Sequence, residues 1–120
     1  MPTEKREYRR INVPCKISVV FAGKQVVFNS HTENISAGGI MVIVEADMAP
    51  SVSTQADLEL YLWNNENPLK CKGKIAWVNE ITPIETKPRL FNTGIEFTEI
   101  SDSDKQGIER FIKGIISSWQ

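Results

Sequence analysis

The chain has 120 residues, a size that suits one domain with a single core and leaves too little for two. Its 41% hydrophobic and 24% charged content is that of a soluble globular protein, and no apolar run approaches the ~20 residues that cross a bilayer as a helix. Fourteen basic residues against fifteen acidic ones give a net charge of -1, which argues against a protein held on long nucleic acid by bulk electrostatics.

The opening residues Met1 to Lys5 lack the apolar core of a signal peptide, so neither export nor membrane insertion is expected. Cys15 and Cys71 each fall on the apolar side of a predicted strand, where a free thiol behaves as a small hydrophobe. With His31 as the single histidine, no metal centre is expected, and the cysteine usage fits a reducing cytoplasm.

From Ile11 to Phe21 the odd positions are Ile11, Val13, Cys15, Ile17, Val19 and Phe21, and the even ones are mostly polar. That period of two predicts a strand with one buried face, and Pro14 on the other face marks an edge or a bulge near its start. Ala22-Gly23-Lys24 turns the chain into a second strand, Gln25 to about Thr32, with Val26 and Phe28 inward. Asn34 to Gly39 forms a strand-to-strand turn, and Ile40 to Val44 begins a third strand. Glu45 to Ser53, with Pro50, reads as loop.

Ala56, Leu58, Leu60 and Leu62 alternate with polar residues as a fourth strand, and Asn64 to Pro68 is a turn. A fifth strand carries Leu69, Cys71, Gly73, Ile75 and Trp77 on one face and Lys70, Lys72 and Lys74 on the other. This assigns Trp77 to the core, with Trp63 and Trp119 as core or interface. The sixth strand runs from Leu90 to Phe97, with Phe91, Thr93, Ile95 and Phe97 inward. The period then changes: Ile108, Phe111, Ile112, Ile115, Ile116 and Trp119 recur at three and four, predicting an amphipathic helix over about residues 102–118 with Ser101 as N-cap. Six short antiparallel strands, each apolar on one face, have to close on themselves or be covered. An all-β fold, a small six-stranded barrel with the C-terminal helix packed against it, satisfies both.

Two stretches stand apart from this scaffold. Arg6-Glu7-Tyr8-Arg9-Arg10 gathers guanidinium groups, which fork two N–H donors onto a phosphate or the O6/N7 edge of guanine and stack on a base. Asn34-Ile35-Ser36-Ala37-Gly38-Gly39 offers an amide and a hydroxyl beside glycines that permit close approach of a ligand. Alone, the first is a solvated charge run and the second an ordinary turn. Together they suit a phosphorylated purine.

These residues resemble the signature of the PilZ family of bacterial cyclic di-GMP receptors, R-x-x-x-R followed by D/N-x-S-x-x-G. Arg6 and Arg10 fall on the arginine positions, and Asn34, Ser36 and Gly39 on the second motif. Gly73 to Val78, Gly94 to Phe97 and the terminal helix resemble the later parts of that family. The resemblance implies a split-barrel type of fold at residues 11–120 and an N-terminal arm, residues 1–10, that folds over the ligand.

It further implies a receptor that is not an enzyme, with no cofactor beyond the ligand cyclic di-GMP and with a downstream protein as partner. Arg6 and Arg10 would divide phosphate and guanine, Asn34 and Ser36 would read base edges, and Gly39, aided by Gly38, would keep space for a base. Lys5 stands where the family often has a further arginine, which leans toward two intercalated ligands per chain. Arg9 is a lesser contact, and the family's tryptophan near the barrel mouth makes Trp77 a second reading as a ligand contact. A homodimer stays open. The competing readings are a ligand-independent PilZ-like adaptor and a small-barrel RNA-binding protein using Lys70, Lys72 and Lys74; no nucleophile set, acid pair or metal cluster supports an enzyme.

Overall fold

The computed structural model describes residues 10–23, 28–45, 50–62, 67–81 and 89–118. Lys5, Arg6 and Arg9 of the predicted site, together with Val26, Trp63 and Trp119, lie outside the described residues.

Six strands form a closed antiparallel barrel: β1 (Lys16–Phe21), β2 (Phe28–Ser36), β3 (Gly39–Glu45), β4 (Gln55–Tyr61), β5 (Leu69–Glu80) and β6 (Leu90–Glu99). The order around the barrel is β1-β2-β3-β6-β5-β4, with β1 pairing β4 to close the ring and remove every free edge. Burial alternates along β1, β3, β4 and most of β5, so Ile17, Val19, Phe21, Val42, Val44, Leu58, Leu60 and Ile75 fill the interior. Helix α1 (Asp102–Ser118) lays Ile108, Phe111 and Ile112 onto this core and packs against β2. Its start is fixed as expected: the Asp104 N–H donates to Ser101 Oγ at 3.0 Å, the bond of an N-cap serine.

Three departures from simple alternation matter for the site. The first strand begins at Lys16 rather than Ile11, because Pro14 has no N–H to give to the ladder. Thr32 stitches the break: its Oγ1 accepts from the Cys15 N–H at 2.9 Å and donates to the Val13 carbonyl at 3.1 Å. Ahead of the break, Ile11 pairs with Ile35 in an isolated antiparallel bridge, each amide donating to the other's carbonyl at 3.0 Å.

Second, β2 runs on to Ser36, and its register against β3 shifts between Thr32 and Asn34. Thr32 and Ile35 both point inward, so Glu33 is the extra residue of a bulge and Asn34 is carried to the outer face. Third, β5 shifts against β6 between Ile75 and Trp77. Ile75 is buried and Val78 packs on the core, so Trp77 is turned outward and only half-buried. The core assignment of Trp77 from its period of two is therefore corrected: a bulge at Ala76 resets the phase, and nothing in the side-chain pattern marks it.

Candidate ligand-binding site

The turn between β2 and β3 is built by Ser36. Its Oγ accepts from the Gly38 N–H at 3.1 Å and the Gly39 N–H at 3.2 Å and donates to the Gly39 carbonyl at 3.3 Å. A hydroxyl has one donor and two acceptor sites, so all are in use, and Ser36 is 6% exposed. The Gly38 carbonyl accepts from the Phe97 N–H at 3.0 Å, and Ala37 is fully buried, so the turn is anchored on β6 and in the core.

Gly39 is required here for the fold itself. A Cβ at this position would collide with the Ile95 carbonyl oxygen and stand 3.3 Å from Glu96 Cα, on the paired strand β6. Where the sequence led us to expect clearance for a base, the structure shows a demand from the barrel's own backbone.

The Ile11–Ile35 bridge decides how the two motifs meet. Residues flanking an antiparallel bridge stand opposite each other, about 4.5–5.5 Å apart between Cα atoms, so Arg10 emerges beside Ser36 and Asn12 beside Asn34. Arg10 is exposed, and among the described residues no carboxylate lies within ion-pair distance of it.

The register then extends both positions into rows on the outer face. Asn34 pairs with Met41, Met41 with Gly94, and Gly94 with Trp77. Ser36 pairs with Gly39, Gly39 with Glu96, and Glu96 with Lys74. In the first row, the Trp77 ring occupies the space that a side chain on Gly94 would need, so it lies across that backbone. In the second, Lys74 Nζ and Glu96 Oε1 form an exposed pair at 3.8 Å, a contact of little energetic weight. The result is a shallow platform with an amide, a thioether and an indole along one row and Arg10 at its rim.

Met41 is a residue that pattern reading missed, although a signal existed. A two-residue loop, Ala37-Gly38, fixes the sum of paired positions, so Ser36 opposite Gly39 puts Met41 opposite Asn34. Trp77 needed the bulge, which no local signal gives.

A groove of about 500 Å³ opens elsewhere, across β1, β4 and β5, lined by Ser18, Val20, Asp57, Glu59, Lys70 and Lys72 among others. Lys70 pairs with Glu59 at 3.8 Å and Lys72 with Asp57 at 3.9 Å, so this face carries compensated charge rather than a cationic track. The lysine face of the RNA reading is thus occupied by ion pairs. Cys71 also borders this groove, where burial, with Asp104 adding to it, pushes its thiol up to about 12.

A family model described as PilZ domain matches residues 4–114. Among solved structures, the chain is similar to the inhibitor of motility MotI/DgrA of Bacillus subtilis, at 17% identity and a TM-score of 0.76, covering 98% of this chain and 55% of that one. It is similar to the PilZ domain of YcgR from Escherichia coli, solved with c-di-GMP, at 13% identity and a TM-score of 0.75, covering 96% and 94%. It is also similar to MrkH of K. pneumonia, solved as a c-di-GMP complex, at 15% identity and a TM-score of 0.71, covering 97% and 54%. The chain thus spans about half the length of the MotI and MrkH proteins it matches. No curated protein matches its sequence.

Proposed function

Because this chain belongs to the PilZ domain family, we propose that it is a receptor for cyclic di-GMP, held between the arm of residues 1–10 and the outer face of β2, β3, β6 and β5. The observation that carries this reading is the Ile11–Ile35 bridge, which ties the base of the arm to Ile35, between Asn34 and Ser36 of the second motif, and brings Arg10 out beside Ser36. The YcgR and MrkH structures, both solved with this dinucleotide, support the same ligand.

The ligand carries two phosphates and two guanines. Arg10 and Arg6 divide the phosphates and the O6/N7 edges, charge-assisted forks being the strong contacts available here. Trp77, whose ring covers Gly94 and is half-buried, offers a ring on which a base can stack, so its reading as a ligand contact replaces the core reading. Asn34 reads a base edge. Ser36, whose hydroxyl is committed to the turn, contributes by holding Gly38 and Gly39 in place, and it contacts the ligand directly only by giving up one of those bonds. Lys5, Arg9 and Gly38 are lesser contacts, and Lys5 favours a second, intercalated ligand.

Capture orders the arm over the platform, and the altered surface engages a downstream protein. The likeness to an inhibitor of motility suggests motility as the output. The protein acts without catalysis, and its two free, buried thiols suit the cytoplasm. Calorimetric titration with cyclic di-GMP tests the proposal: saturable binding by the wild type, lost in Arg10→Ala, is expected. Absence of binding at high micromolar ligand overturns it.

A further inference from the structure

The Asn34 side chain is ambiguous as a reader of bases, since an amide donates from one end and accepts at the other. In this structure the choice is made by Met41. Asn34 Nδ2 donates to Met41 Sδ at 3.9 Å, across the non-covalent pair that the β2–β3 register sets up. Both side chains are half-buried, and Met41 is confined between Asn34 on one side and Gly94, roofed by the Trp77 ring, on the other. With Nδ2 engaged by Met41 Sδ, Oδ1 is the end of the amide that no hydrogen bond from the described residues occupies.

We propose that Met41 is a positioning residue for recognition: its thioether fixes the Asn34 amide with the oxygen outward, so that Asn34 acts as an acceptor for the N1–H and N2–H₂ donors of guanine. This rests on the receptor reading above and adds a division of labour to it. Arginine forks have donors only and suit the O6/N7 acceptors, while the opposite edge of the same base presents donors that arginine cannot take. A sulfur acceptor is weak, yet it suffices to bias a two-fold rotor. It also leaves the outward oxygen uncontested, because a thioether has no proton to offer it.

The test is a four-variant cycle: wild type, Met41→Leu, Asn34→Asp and the double variant. Each is titrated calorimetrically with cyclic di-GMP and with cyclic di-IMP, the analogue lacking the 2-amino groups. Leucine keeps the volume of methionine and removes the acceptor. The expected result is that Met41→Leu lowers the preference for cyclic di-GMP over cyclic di-IMP about threefold, the scale of one weak hydrogen bond. In the Asn34→Asp background the same change leaves the preference unaltered, because a carboxylate presents oxygen at both ends.

An unchanged preference in Met41→Leu, or an equal drop in both backgrounds, overturns the positioning role while leaving the receptor reading intact. Failure of the wild type to bind either dinucleotide overturns both. A ligand-independent measurement stands beside these: nuclear Overhauser contacts from the Asn34 side-chain amide protons to the Met41 methyl group are expected, and their absence contradicts the proposal.

Discussion

One chemical change, glycine to alanine, has opposite consequences at two positions of this fold. At Gly39 the added methyl meets the Ile95 carbonyl oxygen and comes to 3.3 Å from Glu96 Cα, both backbone atoms of a strand that is itself hydrogen-bonded on its far side to β5. Neither can rotate away, so β3 must part from β6 where the Gly39–Glu96 pair begins. Overpacking of this kind costs about 1–3 kcal/mol. At Gly107, inside α1, nothing stands within 4 Å of the new carbon. There alanine gains about 1 kcal/mol from helix propensity.

For a domain of this size each kcal/mol moves Tm by roughly 4 °C. The ligand-free Gly39→Ala protein is therefore expected to melt about 4–12 °C below wild type, and Gly107→Ala about 4 °C above it, in calorimetry or circular dichroism. If Gly39→Ala melts with the wild type and loses only ligand binding, the glycine serves the ligand alone and the backbone argument is refuted.

Thr32→Val is nearly isosteric but leaves the Cys15 N–H and the Val13 carbonyl without their partner, so urea unfolding should show a loss of about 2 kcal/mol. Ser53, with φ at 74°, sits in the left-handed region, and Ser53→Gly should stabilise by about 1 kcal/mol in the same assay. Because burial, with Asp104 adding to it, raises the Cys71 thiol from 9.0 to about 12, folding favours its protonated form. The stability this group contributes is complete below pH 9.0 and declines as pH rises toward about 12, and Cys71→Ala should flatten that decline in unfolding titrations.

Much of this fold was legible because most strands bury one face, and strict alternation around Val19, Leu58 or Ile75 has no other stable reading. The helix announced itself through Ser101 and the spacing of Ile108, Phe111 and Ile112, and the turn through Asn34 to Gly39. What escaped the pattern depends on backbone pairing between distant segments. The bulges at Glu33 and Ala76 insert one residue each, and their effect on Asn34 and Trp77 is felt only once β3 and β6 are alongside. Likewise, nothing local to Gly39 reveals that its neighbour is Ile95, whereas the hydroxyl of Ser36 is spent within the turn as the ordinary-turn reading of this stretch has it.

The most direct test of the account is a chemical-shift map on adding cyclic di-GMP to the isotope-labelled protein. The account predicts the largest changes at Arg10 to Asn12, at Asn34 to Gly39, at Met41 and at the Trp77 indole N–H. Changes confined to the groove around Asp57 and Lys70, or none at all, would contradict it.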